Sequence, residues 1–369
     1  MNSFKNTLEK ITVPQLVLNE QICRRNIRVM AEKARRYGIR FRPHFKTHQS
    51  KVVGEWFKEE KVISITVSSL KMADYFKDNW DDITVAFPVN IREIDTINQI
   101  AKHIRLNLLV ESVDSVAFLA QHVKYPIGCY IKVDSGYHRT GLTVNQLETC
   151  DRIVELIQKD SNMTLAGFLT HAGHSYHSNQ KEEYLQIFKE TVHICRTFRK
   201  RYSSITKDLQ ISYGDTPTCT MVEDLTGVDE IRPGNFVFYD LFQWYLGVCR
   251  QEQIAVVMAC PVVARHEDRN SFIIYGGAVH FSKDSIRLPD GRVCYGLMVE
   301  WTESGWKPMN KLVPLISLSQ EHGILQVDEE LMKQIRIGDL VGILPVHSCL
   351  TADAMKGYIS LEGRVLDHM

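Results

Sequence analysis

A lysine between two histidines, Lys46 between His44 and His48, is the feature of this sequence with the clearest chemical potential. It follows an apolar segment that ends at Phe41. A neutral amine attacks carbonyl groups and a solvated ammonium does not, and burial together with nearby cations lowers a lysine pKa. The stretch that begins at Arg42 is therefore a candidate for covalent catalysis through Lys46. The alternative is a basic strand end that faces solvent.

A second candidate cluster, from Pro345 to Cys349, lies near the other end of the sequence. His347 and Cys349 are separated by one residue, so in an extended segment both side chains would leave the same face. Imidazole and thiolate together suit zinc, and two protein ligands would leave room for waters and a substrate hydroxyl. Taken alone the pair is a weak signal, because a capped histidine beside a buried cysteine gives the same pattern.

The composition favours a small-molecule partner. The 369 residues include 44 basic and 44 acidic side chains, so no global field attracts nucleic acid or an anionic membrane. No apolar window approaches the about twenty residues of a membrane span, and the first residues lack a signal-peptide core. Nine cysteines without framework spacing indicate reduced thiols in a cytoplasmic protein, eight of them as small buried hydrophobes.

Apolar runs alternate with amphipathic helical stretches up to about residue 245, which predicts seven or eight strand–helix units. Such a series favours an α/β fold with a closed parallel (β/α)8 barrel over an open sheet. We place the barrel at residues 14–245. The predicted strands are Pro14–Leu18, Ile39–Phe41, Val62–Val67, Ile83–Pro88, Leu106–Val110, Ile127–Val133, Leu165–Leu169 and Leu209–Ser212.

Beyond residue 245 the pattern changes to short strands separated by turns, which predicts a mostly β domain at residues 246–369. The strands expected there are Ile254–Val257, Val262–Ala264, Phe272–Tyr275, Leu312–Leu318 and Leu340–Leu344. Residues 1–13, which include Ile11 and Val13, are expected to add a strand to this domain.

Polar loops follow four of the predicted strands and the short segment Glu230–Ile231, at the end of a barrel where chemistry gathers. They are Lys46 with its flanking residues, Asp134–Arg139, His171–His177, Tyr213–Thr218 and Arg232–Asn235. Glycines and hydroxyls near a helix start suggest a phosphate cradle beside the nucleophilic lysine. A lysine, a phosphate cradle and histidines that can stack on a ring together indicate a pyridoxal phosphate site.

The stretch from Arg42 to His48 resembles the R-P-H-x-K-T-H signature of the metal-activated pyridoxal phosphate enzymes, which include eukaryotic-type D-serine dehydratases and D-threonine aldolases. Further matches are Gly173–Tyr176, Arg232–Asn235, Tyr239-Asp240, Glu321–Gly323 and the pair His347 and Cys349. They extend over nearly the whole chain. The resemblance implies the alanine-racemase-like fold, a barrel plus a β domain.

The resemblance also implies roles for individual residues. Lys46 would hold the cofactor as a Schiff base, with His44 and Arg139 near the cofactor. The phosphate would lie near Tyr176, Gly214, Thr216, Gly234 and Asn235. One position departs from the family, because Asp215 stands where serine is common. An acidic side chain beside a phosphate is unfavourable, so Asp215 is expected to point away from it.

At the metal pair, the resemblance implies zinc on His347 and Cys349, since D-threonine aldolases carry aspartate at the second position and D-serine dehydratases carry cysteine. We therefore predict a zinc-dependent D-serine dehydratase that forms pyruvate and ammonia, with Lys46 as the base at the α-carbon. The alternatives are a D-threonine aldolase, a racemase or decarboxylase, and a non-catalytic cofactor carrier. The expected partners are a D-amino acid and a second copy of the chain, in a homodimer.

Overall fold

The structure of the protein is a computed structural model, and it describes residues 3–206 and 208–369. These residues form two compact units. The barrel unit consists of residues 28–46 and 54–234, and the sheet unit consists of residues up to 27, residues 47–53 and residues 235–369. Residues 14–27, 47–53 and 235–245, which the sequence prediction assigned to the barrel, thus group with the sheet unit.

The helices of the described residues lie mainly between the strands of the barrel, as the alternating pattern predicts. They are α1 (Ser3–Glu9), α2 (Glu20–Arg36), α3 (Lys51–Glu59), α4 (Leu70–Phe76), α5 (Ile94–Ala101), α6 (Val113–His122), α7 (Leu147–Lys159), α8 (Lys181–Tyr202), α9 (Thr216–Met221), α10 (Leu241–Tyr245), α11 (Ala278–Phe281), α12 (Glu329–Gln334) and α13 (Ser348–Met355).

The strands fall into a parallel and an antiparallel group. In chain order they are β1 (Gln15–Leu18), β2 (Arg40–Phe41), β3 (Ile65–Val67), β4 (Asp82–Pro88), β5 (Arg105–Val110), β6 (Ile127–Val133), β7 (Met163–His171), β8 (Gln210–Gly214), β9 (Glu230–Ile231), β10 (Val256–His266), β11 (Ser271–Tyr275), β12 (Ile286–Arg287), β13 (Val293–Cys294), β14 (Gly296–Thr302), β15 (Gly305–Pro308), β16 (Pro314–Leu318), β17 (His322–Gln326), β18 (Leu340–Pro345), β19 (Tyr358–Ser360) and β20 (Val365–Leu366).

Eight parallel strands form the barrel, in the order β2-β9-β8-β7-β6-β5-β4-β3. A parallel bridge between His44 and Thr66 joins the two end strands, and the Phe45 amide donates to the Thr66 carbonyl at 2.8 Å. The sheet therefore closes on itself immediately before Lys46. The predicted (β/α)8 barrel with a second, strand-rich domain is confirmed.

The sheet unit is built on a ten-stranded, largely antiparallel sheet, of which β10 is the longest strand. Two predicted strands, Ile254–Val257 and Val262–Ala264, overlap this single strand, which begins at Val256 and continues through Pro261. The predicted strand at Pro14–Leu18 exists as β1, but it is not a barrel strand, because it pairs antiparallel with β10. The strand expected within residues 1–13 is wrong for the described part, since Ser3–Glu9 is helical.

The predicted burial of eight cysteines is confirmed. All nine cysteines are free thiols, and eight of them are buried, with Cys349 the partly exposed one. Among the described residues, no helix combines the length and hydropathy that crossing a bilayer requires.

Candidate active site

Lys46 lies in the loop that follows β2, where the barrel closes. The preceding side chain, Phe45, is fully buried, and its ring packs on those of Phe57, Phe76 and Trp80 at 5.0–5.3 Å. This aromatic cluster anchors the loop. The Lys46 side chain is exposed, and its backbone amide donates to Nδ1 of His44 at 3.3 Å. The burial that the sequence argument invoked for Lys46 is therefore not observed.

Positive charge concentrates around the imidazole of His171, at the end of β7. Four cationic side chains act on this ring: Lys46, Arg139, Lys132 and Arg232. Burial and these charges hold the pKa of His171 well below its ordinary value, so the ring is neutral at physiological pH. Because cations at such a density repel one another, a bound anion would stabilise the arrangement.

The loops after β7 and β8 supply groups that fit a phosphate. The Thr216 amide donates to the hydroxyl of Tyr176 at 3.4 Å. The Thr216 hydroxyl is buried and has no hydrogen-bond partner among the described residues, so an additional acceptor or donor there would satisfy it. At Gly214 a Cβ would lie 3.0 Å from Arg232, so only glycine leaves the guanidinium undisturbed. Tyr176, Gly214 and Thr216, three predicted phosphate residues, are thus brought together.

Asp215, the residue that departs from the family pattern, caps helix α9. Its carboxylate accepts from the Thr218 amide at 2.7 Å and from the Ser175 hydroxyl at 3.0 Å. The side chain is 3% exposed, and burial raises its pKa to about 6 in spite of these hydrogen bonds. The carboxylate is therefore committed to the first turn of the helix.

Arg139 lies in the loop after β6, next to two aromatic rings. Its guanidinium is 5.1 Å from the centre of the Tyr137 ring, and that ring is 6.0 Å from the His171 ring. A Cβ at Gly173 would lie 2.5 Å from Tyr137, so this glycine makes room for the ring. Although partial burial opposes it, hydrogen bonds from the amides of His138 and Gly136 lower the pKa of Asp134 and hold the loop. The loop thus places Arg139 beside His171.

Beneath these loops, a ladder of hydrogen-bonded charges runs through the barrel interior. Arg232 Nε donates to Ser212 Oγ at 2.6 Å, and this hydroxyl donates to Glu230 at 2.6 Å. Glu230 also accepts from Arg42 Nε at 2.6 Å, and Arg42 forms a two-pronged pair with Asp82 at 2.6 and 3.1 Å. We refer to Arg232, Ser212, Glu230, Arg42 and Asp82 as the interior ladder.

Sequence reasoning missed the interior ladder and Lys132. Lys132 is 5% exposed, and burial with the nearby Arg232 lowers its pKa to about 8. The sequence did contain a signal for the interior ladder. Charged residues at alternate positions in and just after a short strand, such as Arg40 and Arg42, point to the same face. In a closed barrel the side chains on one face of a strand point either outward or into the interior. The sequence alone does not say which of the two applies.

In the sheet unit, His347 caps the amino terminus of α13, and Cys349 lies in its first turn. The expectation of an extended segment is therefore wrong, because the helix begins at Ser348. The Cys349 thiol donates to the Thr47 hydroxyl at 3.3 Å, and the Asn235 amide donates to Cys349 at 3.6 Å. Asn235, predicted near the phosphate, also donates to Asp240 at 2.6 Å.

The surroundings of His347 are acidic. Its Nδ1 lies 2.6 Å from a carboxylate oxygen of Asp284. Although burial opposes it, hydrogen bonding and proximity to Cys349, Asp240 and Asp284 raise the pKa of His347 to about 10. Negative surroundings of this kind favour a bound cation.

The donor set fits a metal site with two protein ligands. Metal-binding histidines usually direct their second ring nitrogen at a carboxylate, as His347 does with Asp284. Within residues 3–206 and 208–369, no group of three or more His, Cys, Asp or Glu side chains could hold a metal ion. A metal on His347 and Cys349 would therefore take its remaining ligands from water or substrate.

The remaining predicted residues lie in the barrel unit. The His44 amide donates to the carbonyl of Pro233 at 2.9 Å, which ties the Lys46 loop to the run that ends at Gly234. His44, Lys46 and Gly234 are thus on neighbouring segments where β2 and β9 end. His347, Cys349 and Asn235 belong to the sheet unit.

Two family models match the chain. The model described as "Alanine racemase, N-terminal domain" covers residues 18–241, and the one described as "Putative serine dehydratase domain" covers residues 255–361. The first alone spans more than half of the 369 residues. The resemblance inferred from the motifs is confirmed.

Characterised relatives are similar over almost their full length. A D-serine dehydratase of Dictyostelium discoideum is 26% identical, with 97% of this chain and 95% of that protein covered. A D-threo-3-hydroxyaspartate dehydratase of Delftia sp. (strain HT23) is 27% identical, with 97% and 96% covered.

Solved structures agree in fold. The D-threo-3-hydroxyaspartate dehydratase from Delftia sp. HT23 superposes with a TM-score of 0.88 at 26% identity, covering 98% of both chains. A variant of D-threo-3-hydroxyaspartate dehydratase with a cysteine replaced by alanine, in the metal-free form, superposes with a TM-score of 0.89. It is 25% identical, and the match again covers 98% of both chains. The D-threonine aldolase from Filomicrobium marinum gives 0.80 at 15% identity, covering 96% of both, and shows the fold alone.

Proposed function

We propose that this chain, which belongs to the family of the alanine racemase N-terminal domain, is a D-serine dehydratase that forms pyruvate and ammonia. The coarser statement is established: the named relatives make it a pyridoxal phosphate-dependent lyase. The substrate, the metal and the roles of individual residues are proposals. The observation that carries them is the presence, in one chain, of a lysine among cations and a histidine–cysteine pair among carboxylates.

The barrel loops would hold the cofactor. Lys46 would bind its aldehyde carbon, and Tyr176, Gly214 and Thr216 would receive its phosphate. When bound, pyridoxal phosphate supplies an electron sink for negative charge that develops at the α-carbon. The neutral His171 donates or accepts a hydrogen bond without adding charge to a site already rich in cations.

Lys46 is the proposed base at the α-carbon of a D-amino acid. Its exposed side chain follows the buried Phe45, so the amine can move while the backbone that carries it is held in place. Arg139, which lies beside Tyr137 and His171, would orient the ring of the cofactor. Gly234, next to the Pro233 carbonyl that receives the His44 amide, would complete the phosphate loop.

His347 and Cys349 are the proposed zinc ligands. A bound zinc ion supplies a Lewis acid for the β-hydroxyl, a poor leaving group on its own. Solved structures of D-threo-3-hydroxyaspartate dehydratase include one variant with a histidine replaced by alanine and another with a cysteine, two positions further on, replaced by alanine. The cysteine variant is described as metal-free, which supports the same spacing as a metal pair here.

Product analysis tests the proposed function. Purified holoenzyme is given D-serine, D-threo-3-hydroxyaspartate or D-threonine, with and without chelator, and pyruvate, oxaloacetate and glycine are measured. We expect pyruvate from D-serine and its loss on chelation while cofactor absorbance persists. Glycine with an aldehyde from D-threonine, in the absence of pyruvate from D-serine, would instead assign an aldolase.

A homodimer remains a proposal, made by analogy with proteins of this fold. Sedimentation of the holoenzyme over a range of concentrations tests it. A single dimeric species that retains activity on dilution is expected. A fully active monomer would contradict the proposal.

A further inference from the structure

The amino-terminal mouth of the barrel, opposite the loops that carry Lys46, contains a cavity of about 710 Å³. It lies entirely within the barrel unit and is lined from strands β2, β5, β6, β7 and β8. Its volume is within the usual range of small-molecule sites, about 300–1,000 Å³. The barrel interior above it is filled by a layer that includes Tyr130, Leu109 and Leu169, so the cavity ends at that layer.

Two polar groups in this cavity have no partner in the described part of the chain. The Arg105 guanidinium makes no hydrogen bond or ion pair with any described residue. The Tyr130 side chain is only 2% exposed, yet its hydroxyl has no hydrogen bond to any described residue. Since buried hydroxyls are normally satisfied, this donor at the cavity floor is available to a ligand.

The charge of the lining favours a monoanion. Two arginines, Arg40 and Arg105, face one aspartate, Asp208. Arg40 is 39% exposed, and its guanidinium is 3.6 Å from Glu230, longer than the 2.6 Å contact that Arg42 makes with the same carboxylate. Arg40 can therefore turn to a ligand without breaking the interior ladder.

The remaining wall is apolar and suits the body of an organic ligand. Ile104, Ile127 and Leu165 line it together with Ala101 and Pro126. Apolar walls with a few placed polar groups are the usual composition of a ligand site. A doubly charged phosphate would meet Asp208, whereas a carboxylate needs only the one excess positive charge.

We propose that the amino-terminal mouth of the barrel binds a small organic monocarboxylate with an apolar body. Its carboxylate lies between Arg40 and Arg105, and the Tyr130 hydroxyl donates to it or to a second oxygen of the ligand. This site is separate from the groups proposed for D-amino acid chemistry, and its test does not depend on turnover.

Benzoate is the probe, and benzamide, of the same shape without the charge, is its control. Binding to the holoenzyme is measured by calorimetry and by saturation-transfer NMR. We expect saturable benzoate binding and at least about tenfold weaker binding of benzamide, since a charge-assisted pair is lost. Equal binding of the two, or no saturation with benzoate at millimolar concentration, would overturn the proposal.

Two variants locate the site. Arg105→Gln should weaken benzoate binding about tenfold. Arg92 is also exposed but lies outside the cavity, so Arg92→Gln should leave benzoate binding unchanged. Tyr130→Phe should weaken binding severalfold with an unchanged melting temperature, because the hydroxyl has no protein partner to lose. Benzoate that binds Arg105→Gln as tightly as the unmodified protein would place the ligand elsewhere and refute this site.

Discussion

The two candidate sites have opposite electrostatic character. At the carboxyl end of the barrel, burial and four nearby cations lower the pKa of the His171 imidazole. Around His347, two aspartates and a thiol act on another imidazole and raise its pKa to about 10. Two histidines of the same chain are thus shifted in opposite directions by their neighbours. The comparison supports the proposal of an anionic cofactor at the first site and a cation at the second.

The largest effect is expected from removing Lys46. Lys46→Ala should lower turnover by about 10²–10⁴-fold, because it deletes both the cofactor attachment and the proposed base. Visible absorbance and borohydride labelling of the purified protein measure attachment separately from rate. Lys71→Ala, an exposed lysine on α4, is the control. Labelling of any other lysine in the unmodified enzyme would contradict the assignment.

The interior ladder should be the main electrostatic contribution to barrel stability. Glu230 is fully buried between Arg42 and Ser212, so Glu230→Ala should cost about 3–5 kcal/mol of unfolding free energy by removing one of the two carboxylates that pair with the buried Arg42. Glu300→Ala, which removes a surface pair with Lys307 at 3.0 Å, should cost under about 1 kcal/mol. Urea unfolding of both variants checks the difference. Similar losses of unfolding free energy in the two variants would show that the buried pair of Glu230 stabilises the protein no more than a surface pair does.

Asp215 is the acidic exception in the positive site, and its effect depends on pH. Because its folded-state pKa is raised to about 6, the stability it contributes is present below about pH 4 and is lost as pH rises through about 6. Asp215→Ser, which keeps a helix cap, removes this dependence. Between about pH 4 and pH 7 the unmodified protein should lose about 3 kcal/mol relative to the variant. Urea unfolding of both proteins at each pH measures this difference. The same change of unfolding free energy with pH in both proteins would refute the raised pKa of Asp215.

The smallest effect is expected from the carboxylate behind His347. Asp284→Asn should weaken metal binding by about 10–100-fold, because the imidazole loses the partner that orients it. Zinc content after dialysis against graded chelator measures this directly. Asp290→Asn, whose carboxylate pairs with the exposed Arg292, is the matched control. Unchanged zinc retention in Asp284→Asn would remove the electrostatic argument for a cation at this site.

Local pattern was sufficient for much of the fold. The predicted strand at Ile127–Val133 has the observed bounds, and the one at Leu106–Val110 differs by a single residue. Element type follows from the period of apolar residues, which is a property of neighbours in the sequence. The motif around Lys46 and the repeated polar loops likewise indicated the family and the end of the barrel where the cofactor is proposed to bind.

Tertiary structure decided which strands pair and which side chains meet. Residues Gln15–Leu18 are apolar enough for either sheet, and only the register with β10 assigns them to the antiparallel one. Ser348 begins a helix after a strand, so the relation between His347 and Cys349 depends on a capped turn rather than on alternation. Arg42, Glu230 and Ser212 lie far apart in sequence and meet only when the barrel closes. The sequence by itself determined which elements form and which chemistry they bring, and the closed barrel decided which charges are buried together, because burial and pairing are long-range properties.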